Sequence, residues 1–316
     1  MSGEASRSFA CFGGTVTVHV GGVGAEAAAK AAEVQLLDAH RRLSRFLPES
    51  DLSRLNDDPR CAVKVSRTLV ELAAAVRRAG LLSGGLVDAT LLDEIERAGY
   101  GESRAGGESG VDVLPKPGER RPRPATPNPT RGWSLISVDR RDSTVRRPPG
   151  LRIDSGGIAK GLLADLVAES LREHSSYAVD CCGDIRIGGG GRPRTVLVDD
   201  PAGGEPLHSL AVRSGGVATS GIARRSWVGA DGAPAHHLLD PATGAPAFTG
   251  IVQATAQAPT AFLAEVYSKL ALLSGPEQAP GHLLYGGVLM LEDGSVKVVE
   301  ARPQKLPRQS RAVVAE

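Results

Sequence analysis

The segment that most restricts the fold is Ile153 to Val167, IDSGGIAKGLLADLV. Its apolar residues Ile158, Leu162, Leu163, Leu166 and Val167 recur at helical spacing, and two glycines separate them from a strand ending at Ile153. Strand, glycine turn and helix in succession make an anion site. The exposed amides of a helix N-terminus attract phosphate, Gly156 and Gly157 let a ligand approach the backbone, and Lys160 adds a positive charge one turn in. The same residues equally suit an ordinary helix capped by Asp154 or Ser155 with Lys160 in solvent. Neither a P-loop G-x-x-x-x-G-K-[ST] nor a G-x-G-x-x-G dinucleotide turn is present.

Around this segment the chain alternates sheet and helix signals. Val16, Val18 and Val20 alternate with Thr15, Thr17 and His19, the pattern of a half-buried strand. Helices are predicted over Ala25–Leu43, rich in Ala and Leu without Gly or Pro, and over Ser66–Leu82. Residues 100–132 carry so much Gly, Pro and Arg that a mobile surface loop is expected. Short strands follow over Trp133–Val138, Ser143–Arg147 and Tyr177–Val179, and a last helix over Thr260–Leu273. The architecture implied is α+β: mixed sheets with helices on their outer faces.

A chain of 316 residues holds two units or one large domain, and since no linker or repeat divides it, a single domain over 1–316 with two interlocked lobes is expected. Net charge is only +1 and aromatics are 3%, so neither a polyanion-binding surface nor a set of base-stacking rings is indicated, and nucleic acid is not an expected partner. No apolar run reaches the length of a membrane span, so no membrane insertion is expected. The N-terminal residues lack a cationic stretch leading into an apolar one, which points to the cytoplasm. Cys11, Cys61, Cys181 and Cys182 show no C-x-x-C spacing and read as reduced thiols, mostly buried.

Three further stretches suggest a ligand. Gly183 and Gly188–Gly191 crowd a strand that runs through Asp184, Ile185 and Arg186; Ser214–Gly221 ends in the hydroxyls Thr219 and Ser220; His236–Gly244 carries two histidines and an Asp-Pro turn. Adjacent histidines alternate across a strand, so only one faces a site. On the last helix Glu265 and Lys269 stand at i and i+4, the spacing of an ordinary surface ion pair.

Taken together and in order, these segments resemble the ApbE family of FAD:protein FMN transferases, with a T-fold-related, two-lobed domain. Ser44–Asn56 is similar to the family's Y-x-P-x-S-x-L-S-x-L-N, Gly85–Thr90 to G-x-F-D-x-T, and Asp154–Gly161 to D-x-G-G-I-A-K-G. Gly183–Arg186 resembles the end of G-G-D-I-R, Ala218–Gly221 is A-T-S-G, and His237–Gly244 is H-x-x-D-P-x-T-G. The resemblance runs from about residue 8 to 292.

It implies an enzyme that takes FAD and Mg2+, moves FMN to a Ser or Thr hydroxyl of an acceptor protein bearing a D-[ST]-G-A-T type motif, and releases AMP. It places Phe46, Leu86, Val87, Asp88, Asp154, Lys160, Thr219, His237, Leu238 and Ser268 along the FAD, with His237 as the group assisting deprotonation and Asp154 as the alternative. It implies a metal site at Gly157 and Glu265. At that site the chain departs from the family, whose last helix reads A-D-x-x-x-T: the aspartate is Glu265, still an oxygen ligand, and the threonine is Lys269, which cannot coordinate Mg2+ and competes with it electrostatically. Mg2+ is therefore in doubt, and the Lys269 charge is a candidate for its place. Cys182 stands where a glycine is usual, Gly13 where a methionine is, and Phe46 where a tyrosine is. A diverged relative that hydrolyses a nucleotide, transfers to a small-molecule acceptor, or only binds flavin is the alternative.

Overall fold

A computed structural model describes residues 3–102, 113–229 and 231–303. The chain opens with a hairpin, β1 (Glu4–Cys11) and β2 (Gly14–Gly21), then α1 (Ala25–Leu43), α2 (Asp51–Asp57), β3 (Ala62–Lys64), α3 (Arg67–Leu82) and α4 (Leu92–Arg97). β4 (Ser137–Asp139), β5 (Thr144–Arg146), α5 (Ala159–Ser170), β6 (Ser176–Cys181) and β7 (Asp184–Gly189) follow. β8 (Arg194–Val198), β9 (His208–Val212), β10 (Gly215–Gly221), β11 (Ser226–Val228) and β12 (Pro234–His236) lead into the last part: β13 (Ile251–Ala258), α6 (Ala261–His282), β14 (Gly287–Leu291) and β15 (Val296–Val299).

Eight strands form one sheet in the order β1-β2-β6-β7-β10-β13-β14-β15, antiparallel in every pairing. Side-chain alternation divides its two faces. Val16, Val18, Val20, Tyr177, Val179 and Cys181 point into the main core, where α1, α5 and α6 cover the sheet. Ala178, Ile187 and Val217 point the other way, beneath the β8–β9 hairpin. Among the described residues no helix is long and apolar enough to cross a membrane.

α1 has the predicted limits, and α3 begins where Ser66 accepts a hydrogen bond from the Leu69 amide. Three expectations need correction. Trp133–Leu135 is not strand but belongs to a 3-10 turn over Gly132–Leu135, because the Trp133 indole lies against Gly80 of α3 where no Cβ fits. Ile153 is not in a strand either. The Asn56 side chain plays the partner strand, donating to the Ile153 carbonyl and accepting from its amide at 2.9 and 2.8 Å. The last helix does not stop at Leu273: Gly275 takes a positive φ of 78°, kinks the chain before Pro276, and the helix resumes to His282. Of the loop expected over 100–132, residues 103–112 lie outside the described residues. In its second half the Arg123 and Ala125 amides donate to the Phe248 and Leu273 carbonyls.

α5 and α6 touch at Gly161. A Cβ there would lie 2.6 Å from the Ala261 carbonyl oxygen and 2.9 Å from Glu265 Oε2. Helix propensity alone favours alanine over glycine by about 1 kcal/mol, but overpacking against backbone costs roughly 1–3 kcal/mol. Gly161→Ala is therefore expected to destabilise the protein in urea denaturation; a stabilised variant would show that the helices separate without cost.

Candidate active site

Two cavities open at the end of the sheet where the β1–β2 and β6–β7 turns lie. The first, about 710 Å3, is lined by Phe46, Leu86, Val87, Asp88, Asp154, Gly157 and Leu238. The second, about 730 Å3, lies on the opposite side of the sheet under the β8–β9 hairpin and takes in Asp180, Thr219 and Thr255. They share Gly13, Gly14, Gly156, Lys160, Arg225, His237 and Lys269. The shared residues form a neck between the two cavities, lined by one histidine and three cations.

The glycine turn places Lys160 at this neck. Its ammonium donates to Asp184 Oδ2 at 2.5 Å, and Asp184 is only 1% exposed. Burial opposes the charge, but the Asp184 and Glu265 carboxylates outweigh it and raise the Lys160 pKa. No side chain caps α5; Asp154 Oδ1 accepts instead from the Gly156 amide at 3.2 Å and pairs with Arg45 Nε at 3.1 Å. Of the two simple alternatives for this segment, capping by Asp154 or Ser155 and a solvated Lys160, neither holds.

On the first cavity wall Asp88 Oδ1 accepts from the Thr90 amide and hydroxyl, at 2.8 and 2.6 Å, while Oδ2 is buried without a partner. Burial raises its pKa. Phe46 meets Tyr100 edge-on, and Tyr100 stacks on Trp227, so an aromatic cluster closes this end. The Arg45 guanidinium lies over Phe46 and Tyr100.

Of the two histidines, His236 turns into the core, fully buried against Phe248 at a ring distance of 4.7 Å, and only His237 faces the neck. Burial, together with the Arg225, His236 and Lys269 charges, drives the His237 pKa well below its usual value, opposed only by the Arg225 backbone. His237 is thus a neutral imidazole whose Nδ1 is buried without a hydrogen-bond partner. Burial also pushes His236 down to about 3. Because this group binds a proton in the unfolded chain but not in the native one, its contribution is complete above pH 6.5 and is lost as pH falls towards 3. The stability of the wild type relative to His236→Leu should therefore decline by about 1.4 kcal/mol per pH unit below 6.5. Urea denaturation of both proteins at pH 8 and 5.5 checks this, and a pH-independent difference would contradict it.

Glu265, Ser268 and Lys269 stand on α6 behind and beside the neck. Their surroundings correct two expectations. The Glu265–Lys269 pair is not on the surface: Glu265 is 0% and Lys269 8% exposed, with Lys269 Nζ 3.1 Å from Oε1. Ser268 lies along neither cavity; its hydroxyl is shared with Ser220 at 2.8 Å and the Glu265 carbonyl at 3.0 Å, joining α6 to β10. Glu265 lines neither cavity, and its Oε2 accepts from the Gly161 amide at 2.9 Å. Burial pushes the Glu265 carboxyl up, against the pull of the Lys269 ammonium.

The fit of a divalent ion to Gly157 and Glu265 follows from this. Both Glu265 oxygens are engaged, Lys269 rather than Glu265 is the residue that lines the neck, and among the described residues no three His, Cys, Asp or Glu side chains gather as a ligand set. These residues do not fit Mg2+. Two contributors escaped sequence reasoning. Arg45 is next to the motif residue Phe46 but has no signal of its own, and Arg225 sits in the β10–β11 connection just past A-T-S-G. Cys182, in the place of a glycine, has φ 56°, a conformation glycine adopts without strain.

An antiparallel sheet whose helix-covered face ends in a cation-lined neck between two nucleotide-sized cavities defines a site for an elongated anion. The ApbE family model matches residues 12–285, and the chain belongs to that family. It is 25% identical over 255 residues to the FAD:protein FMN transferase of Escherichia coli (strain K12), covering 78% of this chain and 71% of the relative. The FAD:protein FMN transferase of Treponema pallidum (strain Nichols) is 31% identical over 194 residues, 57% of this chain and 51% of its own. The fold is similar to the crystal structure of the ApbE protein from Thermotoga maritima MSB8, with TM-score 0.76 and 25% identity over 94% of this chain and 97% of that one. Apo Pseudomonas stutzeri flavinyl transferase ApbE shares the fold, with TM-score 0.72, 22% identity and coverage of 94% and 95%.

Proposed function

We propose that this chain is an FAD:protein FMN transferase. The observation that carries the reading is the neck, where His237, Lys160, Arg225 and Lys269 converge between two cavities each of ligand size. The flavin end lies in the first cavity against Phe46, Leu86, Val87 and Leu238, the diphosphate in the neck, and the reaction proceeds at the phosphorus on the FMN side. An acceptor Ser or Thr hydroxyl, carried on a D-[ST]-G-A-T type motif, attacks that phosphorus. A new O–P bond forms, the bond to the bridging oxygen breaks, and AMP leaves with that oxygen. The hydroxyl proton passes to the His237 imidazole, which is neutral and has no carboxylate holding it in the protonated form. Asp154, committed to Arg45 and the Gly156 amide, orients the glycine turn. Fixed cations aimed at the diphosphate stabilise the charge that develops on it.

We place the reaction in the cytoplasm, where the exposed thiol of Cys61 stays reduced. Chromatography of FAD incubated with the protein tests the reaction. AMP forming only when the acceptor is present supports transfer, whereas AMP and free FMN formed equally without acceptor would overturn it in favour of hydrolysis.

A further inference from the structure

We propose that the neck holds the diphosphate with three side-chain cations, Lys160, Lys269 and Arg225, in place of a divalent metal, so that FAD binding by this chain is metal-independent. The inference rests on the FAD reading above and goes beyond it.

Lys160 and Lys269 each have a carboxylate partner, Asp184 and Glu265; the two lysines line both cavities, whereas Asp184 and Glu265 line neither. The carboxylates therefore position the cations without covering them. Arg225 has no carboxylate within 4 Å among the described residues, and its charge is felt at Lys160, at His237 and at Cys182. Lys160, Lys269 and Arg225 are three cations against the two carboxylates Asp184 and Glu265 behind them, which leaves an excess of positive charge in this cluster at the neck. An anion is the ligand that balances it, and a divalent cation is repelled.

The geometry also removes the ligand a metal needs. Glu265 spends Oε2 on the Gly161 amide and Oε1 on Lys269. Freeing either oxygen leaves a buried donor without a partner. A threonine at position 269 would remove the competing charge and return an oxygen to the neck. Lys269 is thus a binding residue that stands in for an ion, held at the correct end of α6 by the carboxylate one turn earlier.

The test is flavin-fluorescence titration of the full-length protein with FAD and, separately, with riboflavin, which lacks the diphosphate, in EDTA and in Mg2+. The wild type is expected to bind FAD with affinities agreeing within about twofold in the two buffers. Lys269→Thr is expected to lose roughly tenfold or more in FAD affinity in EDTA, to recover with Mg2+, and to keep its riboflavin affinity; Lys269→Arg is expected to remain metal-independent. Wild-type FAD affinity that falls tenfold or more in EDTA overturns the inference while leaving the flavin assignment standing, and so does Lys269→Thr that loses riboflavin and FAD equally. Absence of FAD binding by the wild type in either buffer overturns the function assignment itself. The wild-type comparison requires no variant to fold.

Discussion

Exchange of His237 for alanine is expected to lower FMN transfer by roughly 10^2–10^4-fold, the usual contribution of a positioned general base, while FAD still binds. The distinction arises from where His237 stands. It borders both cavities at the neck, but the apolar wall proposed for the flavin end, formed by Phe46, Leu86, Val87 and Leu238, belongs to the first cavity and is untouched by the exchange. A His237→Asn variant keeps a polar group there yet cannot take up a proton at neutral pH, so it should be as slow as alanine. Rates from intact mass against time, alongside FAD titration, separate the two effects. Loss of FAD affinity with no change in the rate of bound enzyme would contradict the role given to His237. Because burial and neighbouring cations keep this imidazole neutral, lowering the pH from 8 to 6.5 should not by itself protonate it, and transfer should not fall with the midpoint of an ordinary histidine.

The second large effect is expected at Lys160. Lys160→Ala leaves Asp184, 1% exposed, without its ion-pair partner. Removing one partner of a buried pair typically costs about 3–5 kcal/mol, a sizeable part of a domain's net stability. The same change removes a cation from the neck, so FAD affinity falls as well. Lys160→Ala combined with Asp184→Asn separates the contributions: neutralising Asp184 should recover most of the stability in urea denaturation but none of the FAD affinity. Recovery of both would show that Lys160 is purely structural. Loss of neither would show that the pair is not formed.

Much of this fold could be read from residue order because its signals are local. The valine alternation in β2, the uninterrupted Ala-rich stretch of α1 and the Ser66 cap of α3 each act through neighbours a few residues away. What could not be read depends on distant partners. Ile153 looks like a strand residue because it is apolar and precedes a glycine turn, yet its hydrogen bonds are made by Asn56, 97 residues away. Gly275 within S-G-P reads as a helix end, and the positive φ it takes beside Pro124 and the Thr249 carbonyl kinks the chain without ending the helix.

The site divides the same way. Asp88, Asp154, Lys160 and His237, all from motif segments, line the first cavity. The i to i+4 spacing of Glu265 and Lys269 established that they are neighbours but not which face of α6 they share. α6 is apolar around most of its circumference, so no stripe marks its buried side. The structure shows the pair to be internal, and with it Ser268, which the family resemblance places along the FAD. Arg225 lies in a connection without periodicity, where only the fold brings it to Lys160 and His237.

The most direct measurement is the intact mass of an acceptor domain carrying a D-[ST]-G-A-T motif after incubation with this protein and FAD. An acceptor heavier by one FMN, formed in EDTA as well as in Mg2+ and absent when the acceptor hydroxyl is replaced by alanine, is the predicted result. An acceptor of unchanged mass, in the presence of protein that binds FAD, would contradict the assignment of FMN transfer to this site.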